Sequence, residues 1–441
     1  MTQLVRQGFE GEAIVTNVFV DPPESRLSAR APRHMGMTTR SCASAFCSRL
    51  SGAGARRRVA PGAMLALTML AVACKAFPRV ASVEATLTDS ADIRLVRFAR
   101  LPTGPGAVRL SSRPHLTLGG IQENDSLEFD ARGVFLSATY LADGQIVVGD
   151  HHRLKYFDAR GELVKIVGRD GNGPGEFSNI RDLCAVGDSS LVVFDHDGRW
   201  TVWDRSGSLR HAQARLGVMP FKGCSRDDAV IVRVSKENAY DSYGATKRRT
   251  LPYALYRTDG TLLQPLGRLA ASEYYGPIFF EPSFGILADE LLIAEPQRFE
   301  IRTQSLATGR VTNMWRVQGA LRVLTDAVWD TLIASGFPSD ATAEQRRKHI
   351  SRMKQFAKPP AYPAFGRVRA DPRGRIWINP YFDHLHWYVI DSAGSRISLV
   401  NLPLPEDQQP QLVGFADESV VIRHVDESGG AQLSLYRVET R

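Results

Sequence analysis

The chain has 441 residues, of which 43% are hydrophobic and 23% charged, a globular composition that excludes wholesale disorder and a multi-span membrane protein. Its formal net charge is +8, but nine Arg against four acidic residues give the segment 1–74 a charge of +5, which leaves +3 for the rest. A folded part with so little excess positive charge lacks the basic stripe of a nucleic-acid-binding protein, so we expect no nucleic-acid partner.

The clearest targeting signal begins far along the chain. Three consecutive Arg (residues 56–58) precede a short apolar run, Ala63–Ala73, which ends at Cys74. A helix of this length spans about 16 Å, too little for a bilayer core of about 30 Å. A positive segment, a short apolar run and small residues are instead typical of a secretory signal. Residues 1–55 show no sustained period, and we expect them to be a non-native or disordered leader extension.

The residues in front of Cys74 carry a resemblance. Because Ala71-Val-Ala73 leads directly into the cysteine, residues 56–74 resemble a lipoprotein-type bacterial signal peptide, although Ala71 stands where that family usually has Leu. The resemblance implies lipidation of Cys74, secretion across the inner membrane, and an outer-membrane lipoprotein or a periplasmic protein that contacts the membrane through a lipid anchor. An ordinary signal peptide with an incidental cysteine and a buried helix are the alternatives.

An internal repeat dominates the rest of the chain. Residues 75–109 are interpreted as a linker and N-terminal segment, and beyond them strands with period-2 alternation are separated by turns at a spacing of about 8–12 residues. This pattern is typical of four-stranded antiparallel units. The first turn of each unit carries an aspartate, and the six are Asp143, Asp188, Asp228, Asp289, Asp371 and Asp417.

Six such units predict an all-β fold, a six-bladed β-propeller over residues 110–441. The segment 418–441 that follows Asp417 is too short for the rest of a complete blade. We therefore expect His115–Gly119 to supply the missing outer strand, because a ring closed by an N-terminal strand has no open end.

A glycine-rich stretch, Gly168–Phe177, has the sequence GRDGNGPGEF. A Gly-x-Gly-Pro-Gly-Glu-Phe run between blades is similar to that of NHL-like six-bladed β-propeller proteins, and the resemblance covers roughly residues 110–440. It implies the propeller fold and a secreted bacterial lipoprotein, and it implies no particular reaction.

Two cysteines stand at equivalent places in neighbouring units. Cys184 and Cys224 each lie four residues before the turn aspartate of their unit. Packed sheets are about 10 Å apart, whereas a disulfide needs Cα atoms within about 7 Å. We therefore expect these cysteines to be unpaired and buried.

Residues 320–357 interrupt the strand pattern. Apolar residues at helical spacing end at Gly336, and a second helix is predicted from Thr342, which forms a capping box with Gln345. We expect a small helical insertion packed on the propeller, with a lid or partner-docking element as the functional alternative. Its second helix has a basic side made of Arg346, Arg347, Lys348, Arg352 and Lys354.

Carboxylates and imidazoles recur where the second strand of a unit ends. Arranged around a channel they could bind a divalent cation, which could activate water. In the alternative, structural role, each aspartate accepts N–H groups of the following turn. Two histidines of the fifth unit alternate along the chain and so share a face. The candidate ligand-facing residues are Asp150, His151, Asp195, His196, Glu295, Asn379, His384 and His386.

These features predict an extracytoplasmic, lipid-anchored propeller that acts as a binding or scaffold module for a protein, peptide or glycan, since a propeller offers a rigid face of loops. A propeller enzyme, a metal-assisted hydrolase or lyase using the axial carboxylates, is one alternative, and a structural envelope protein is another. The sequence contains no nucleophile elbow, HExxH motif or Walker loop. We therefore assign no catalytic residue and no cofactor beyond the divalent cation already considered, and an enzyme is the less expected outcome.

Overall fold

The computed structural model describes most of the predicted propeller. The predicted leader, the signal segment with Cys74, and the turn aspartates Asp188, Asp228 and Asp417 lie outside the described residues. All of the sheets belong to one compact unit, Val80–Ile333 with Asp340–Arg441. The described residues are 82–120, 127–129, 136–187, 190–196, 198–213, 223–225, 229–233, 250–335, 341–381, 383–416 and 418–440.

Five short strands precede the first blade. They are β1 (Ser82–Glu84), β2 (Thr86–Ser90), β3 (Ile93–Phe98), β4 (Val108–Leu110) and β5 (Leu116–Gly119).

Blades 1 to 3 are four-stranded antiparallel sheets whose strands follow one another along the chain. In blade 1, β6 to β9 are Ser137–Tyr140, Ile146–Asp150, Arg153–Phe157 and Leu163–Val167. A two-residue ladder follows, with β10 Arg169–Asp170 and β11 Glu176–Phe177. In blade 2, β12 to β15 are Ile180–Val186, Ser190–Asp195, Trp200–Asp204 and Leu209–Gln213. In blade 3, β16 to β19 are Gly223–Ser225, Ala229–Arg233, Thr250–Arg257 and Leu262–Ala270.

Blades 4 to 6 complete the ring, after a short hairpin of β20 (Glu273–Tyr274) and β21 (Phe279–Phe280). In blade 4, β22 to β25 are Ser283–Leu287, Glu290–Glu295, Glu300–Ser305 and Val311–Val317. In blade 5, β26 to β29 are Val368–Ala370, Ile376–Ile378, His386–Ile390 and Arg396–Asn401. In blade 6, β30 to β32 are Gln411–Phe415, Ser419–Val425 and Ala431–Thr440. Among the described residues, the helices are α1 (Asp326–Ser335), α2 (Ala343–Met353) and a 3₁₀ turn at Glu406–Gln408.

The second strands of the blades are buried on both faces in their described residues, because each blade packs between two others. In β7, Ile146 and Val148 join the core cluster shared with blade 6, while Val147 between them joins the cluster shared with blade 2. Successive side chains of a strand point to opposite faces, so a continuous apolar run supplies two interfaces at once. One such cluster fills each of the six interfaces between neighbouring blades.

A recurring Asp-x-x-Gly turn ends many of the strands. In the turn after β8, the carboxylate of Asp158 accepts the N–H groups of Arg160 (2.9 Å) and Glu162 (2.8 Å). Gly161 adopts a positive φ of 85°, which glycine tolerates best. Aspartate side chains mimic a backbone turn in this way, and similar turns carry Asp204, Asp371, Asp391 and Asp426.

The ring closes as predicted. Strand β5 pairs antiparallel with β32, and Leu118 lies opposite Leu433. Gly119 ends this strand where a Cβ atom would lie 2.3 Å from the ring of Phe129, so the close approach of the next segment requires glycine. The all-β, six-bladed propeller with an N-terminal closing strand and a small helical insertion is therefore confirmed.

The segment interpreted as a linker, residues 75–109, contains strands in its described part. Strand β1 extends blade 5, the hairpin β2–β3 extends blade 4 through a parallel ladder with β25, and β4 pairs with β32 of blade 6. We call residues 82–110 the N-terminal strap. Sequence patterning did not indicate these strands, and one of them, β2 (Thr86–Ser90), is exposed throughout and shows no apolar alternation.

The expectation for Cys184 and Cys224 was wrong, because the two cysteines form a disulfide whose Cα atoms are 6.3 Å apart. Cys184 lies on β12 and Cys224 on β16, the first strands of blades 2 and 3. First strands lie next to the axis, where the blades converge and the first strands of neighbouring blades touch. The spacing of about 10 Å between packed sheets therefore does not apply at the centre of the ring.

The helical insertion contains the predicted capping box. Thr342 accepts the backbone N–H of Gln345 through its hydroxyl, and the Gln345 side chain accepts the N–H of Thr342. Within the part of the chain that the structure describes, no helix has the length and apolar character needed to cross a membrane.

Candidate binding face

The turn between the second and third strands of a blade lies on one side of the ring. The connection from one blade to the next lies on that same side. Hydrogen bonds join the two kinds of connection. The N–H of His196 donates to Asn179 O (2.8 Å), and the N–H of Ala364 donates to Pro296 O (2.8 Å). We call this side the upper face and the opposite side the lower face.

Between the described strands, long connections occur on the upper face alone. Among the described residues they are 318–335 with 341–367 between blades 4 and 5, and 271–282 between blades 3 and 4. The longest turns of the lower face, such as 158–162 and 391–395, span little more than one Asp-x-x-Gly turn. Binding residues are concentrated on loops that a rigid scaffold positions, so the upper face is the candidate recognition surface.

A helical cap covers part of this face. We define the cap as the hairpin β20–β21 with α1 and α2. Its apolar core contains Ile278, Phe280, Leu324, Trp329, Leu332, Ile333, Met353 and Phe356, each at most 7% exposed. Burial of this many large side chains holds the two short helices in place, because isolated helices of 10 or 11 residues are marginal in water.

The cap contacts blade 5 through an aromatic side chain. The hydroxyl of Tyr381 accepts the N–H of Phe279 on β21 (3.1 Å), and burial raises the pKa of Tyr381. Gly276, with a φ of 74°, lies in the hairpin where a Cβ atom would be 3.0 Å from Phe356. The hairpin can therefore approach α2 closely.

The outer side of α2 is basic and exposed to solvent. Glu344 pairs with Lys348 at 3.3 Å on this surface. The exposed cations are Arg346, Arg347, Lys348, Arg352 and Lys354, as the sequence pattern predicted.

Asp150, the first of the candidate carboxylates, pairs with a lysine of the neighbouring strand. Its Oδ2 lies 2.8 Å from Lys155 Nζ, and the two side chains are 11% and 4% exposed. Lys155 also donates to Glu128 O and lies 4.9 Å from the centre of the Phe129 ring. Asp150 therefore positions Lys155. The ammonium group of Lys155 binds residues 127–129, which lie in the connection from the closing strand β5 to blade 1.

Asp195 holds an arginine that fastens the glycine-rich loop. Its Oδ2 accepts Arg199 Nε at 2.7 Å, and the guanidinium also donates to the carbonyls of Gly171 (3.4 Å) and Glu176 (3.3 Å). Within the loop, Gly173 N donates to Glu176 Oε2 at 2.8 Å, and this bond, followed by Arg169, lowers the pKa of Glu176. The loop thus binds a carboxylate of its own chain.

Glu295 is 6% exposed and lies 3.2 Å from Arg302 Nη1 on the adjoining strand. All three candidate carboxylates at second-strand ends thus have a cation of their own blade as a partner. These contacts fit the structural alternative, and the ligand-facing role stays a prediction.

The histidines that follow the two aspartates contact the connections between blades. His151 adopts a φ of 51°, and its carbonyl accepts Ile180 N at 2.6 Å. The Nδ1 atom of His196 accepts Arg181 Nε at 2.9 Å. Both residues therefore lie on the upper face, next to the segment that leads into blade 2.

The fifth unit has a different arrangement. The amide of Asn379 donates to Asp383 O (2.6 Å), and His386 Nδ1 lies 2.8 Å from Asp383 Oδ2. This hydrogen bond raises the pKa of His386, and burial opposes it. His384 precedes strand β28 and is exposed. Among the described residues, no three or more His, Cys, Asp or Glu side chains are grouped to hold a metal ion.

Sequence patterning missed two charged residues on first strands, Asp182 and Arg369. A charged residue within a short apolar strand, as in Val368-Arg-Ala370, is the signal that could have indicated them.

Comparisons with known proteins add similarity of fold only. No protein-family model and no curated protein matches the chain. Among solved structures, a Bacteroides fragilis chain named "Putative exported protein" is 11% identical, with a TM-score of 0.49, over 79% of this chain and 99% of that one. A chain of the Mitotic Checkpoint Complex is 12% identical, with a TM-score of 0.36, over 75% of this chain and 93% of that one. Likenesses of this strength carry no argument about activity.

Proposed function

We propose that this protein is an exported binding module that recognises a protein partner with its upper face. The observation that carries the proposal is the asymmetry of the two faces. The long connections 318–367 and 271–282 are on the upper face in their described residues, and the lower face has only short turns between its described strands. Long, ordered insertions in a compact domain are usually functional.

The chemistry of the cap favours an acidic partner surface. Arg347, Lys348 and Lys354 are exposed on the outer side of α2, whose apolar side is buried in the cap core. Complementary charges speed association and select partners, and they act within a Debye length of about 8 Å at physiological salt.

The test is site-specific photo-crosslinking in the producing cells. A photoreactive residue replaces Arg347 on the cap, and in the control it replaces Arg160, an exposed residue of the lower-face turn 158–162. We expect a protein adduct from position 347 alone, and we expect the double charge reversal Lys348→Glu with Lys354→Glu to abolish it.

Equal adducts from both positions, or no adduct from position 347, would contradict recognition by the upper face. An adduct that survives exhaustive proteolysis would identify a glycan and refute the protein partner. An adduct insensitive to charge reversal would refute the acidic surface.

The proposal includes export and a lipid anchor at Cys74. Residues 56–74 have the order of a lipoprotein signal, and the Cys184–Cys224 disulfide supports an oxidising compartment, where such bonds persist. We expect cells to incorporate labelled palmitate into the wild-type chain and not into Cys74→Ser. Labelling that persists in this variant would contradict lipidation at Cys74, and an unlabelled wild-type chain in the soluble periplasmic fraction would indicate ordinary secretion.

A further inference from the structure

A charged side chain lies at the centre of the ring. Arg369 is the middle residue of β26, the first strand of blade 5, and its pairing partner Trp377 is fully buried. First strands of neighbouring blades contact one another, for example β22 with β26 and β6 with β12, so they line the axis. The Arg369 side chain therefore lies beside the axial channel.

The guanidinium of Arg369 has few partners for its position. Nη1 donates to Val413 O on β30 at 3.0 Å, which uses one of five N–H donors. No carboxylate lies within the 4.0 Å ion-pair distance of it among the described residues. Burial lowers the pKa of Arg369, and the charge of Asp182 opposes this effect. A partly buried cation without a neighbouring anion is costly, so stability alone does not explain why an arginine stands at this position.

The opposite charge stands across the axis. Asp182 lies on β12 of blade 2, which is three blades from blade 5 in a ring of six. Its Oδ1 accepts Leu183 N at 2.9 Å, and no cation of the described part lies within 4.0 Å. Two charges of opposite sign thus face the same channel without neutralising each other.

Thr139, Asp182 and Arg369 all retain solvent accessibility although they lie on first strands.

We propose that the axial channel binds a small amino-acid-like zwitterion, whose carboxylate is received by Arg369 and whose ammonium group is received by Asp182. A planar guanidinium matches a carboxylate with two parallel hydrogen bonds, and both unpaired charges of the channel would then be neutralised. The inference goes beyond recognition by the upper face and does not depend on it.

Saturation-transfer NMR on the full chain tests the proposal, with acetate, glycine and methylammonium as probes. We expect glycine to bind more tightly than acetate or methylammonium, since it engages both charges. Arg369→Gln should weaken glycine binding about tenfold or more, as expected for loss of a hydrogen bond to a charged group. Asp182→Asn should lower the affinity for glycine to that for acetate.

Matched variants separate binding from folding. Arg367→Gln removes an exposed arginine two residues away and should bind glycine like the wild type. Arg369→Lys keeps the charge without the planar fork and should retain part of the affinity, and the thermal midpoint of each variant in chloride reports whether it folds. Wild-type chain that binds no glycine, or folded Arg369→Gln that binds it undiminished, would overturn the proposal. Glycine that binds no tighter than acetate would overturn the role of Asp182.

Discussion

At the residue scale, the candidate carboxylates act through the cations that they hold. Asp150 positions Lys155 and Asp195 positions Arg199, and both cations then bind carbonyl oxygens of connecting segments. A carboxylate that neutralises a buried cation allows it to donate to backbone groups without an uncompensated charge. These residues thus link the blades to the loops of the upper face.

We expect Lys155→Met to be strongly destabilising. The substitution leaves Asp150 as a buried carboxylate without its cation and removes the hydrogen bond to Glu128 O. Breaking a buried pair on one side costs about 3–5 kcal/mol of unfolding free energy, measurable by chemical denaturation. Arg153→Gln, on the same strand but exposed, should change stability by no more than about 0.5 kcal/mol. Equal losses for the two variants would show that the pair has no special role.

Histidine titration should distinguish two sites on the upper face. The hydrogen bond that His386 donates to Asp383 raises the pKa of His386 above 6.5, whereas burial, followed by the charge of Arg352, lowers the pKa of His349. A raised folded-state pKa means that protonation stabilises the fold, so the contribution of His386 is fully present below pH 6.5 and is lost as the pH rises through its folded-state pKa. NMR titration should order the two pKa values in this way, and His386→Asn should remove that part of the pH dependence. A pKa of His386 at or below that of His349 would contradict the contact with Asp383.

At the element scale, the described residues 82–119 in front of the first blade contain two kinds of strand. Strand β5 is a structural member of blade 6, since Leu118 is 3% exposed in the cluster between blades 6 and 1. Strand β2 lies at the outer edge of blade 4, and its Leu87 is 48% exposed. The outer strand of blade 3 carries a different protection: β19 contains Pro265, which has no N–H to offer a further strand.

Leu118→Ala and Leu87→Ala test this difference between two leucines of one segment. We expect the first to lower the free energy of unfolding by about 2–5 kcal/mol, because it leaves a cavity in the cluster that closes the ring. The second should cost no more than about 0.5 kcal/mol, since its side chain is half exposed. Similar costs for both, measured by denaturant unfolding, would contradict closure through β5.

At the scale of the whole molecule, the ring is held by six apolar interfaces, one closing strand and one disulfide among the described residues. The disulfide joins the first strands of blades 2 and 3, whose cysteines have a sequence separation of 40. The strap adds strands to blades 4, 5 and 6, so the covalent link and the strap reinforce different parts of the ring.

Replacing Cys184 and Cys224 together by Ser should lower the unfolding free energy by about 3–4 kcal/mol, which is the loop-closure entropy for a sequence separation of 40. Reduction of the wild-type chain with a thiol should have the same effect, and non-reducing peptide mapping should show the bond. Two free thiols in protein purified from its native compartment would refute the bridge.

The sequence by itself determined the strands of the blades, the Asp-x-x-Gly turns, the number of blades and the closing role of residues near His115, because period-2 alternation and turn chemistry are local properties. The capping box at Thr342 and the basic side of α2 were local for the same reason. Only the tertiary structure decided that Cys184 bonds to Cys224 and that Asp182 and Arg369 share a channel. It also decided that Lys155, paired with Asp150, donates a hydrogen bond to the carbonyl of Glu128. These outcomes depend on the distances between side chains of different blades, which are set by how closely the strands converge around the axis. The sequence pattern of a single repeat unit does not determine those distances.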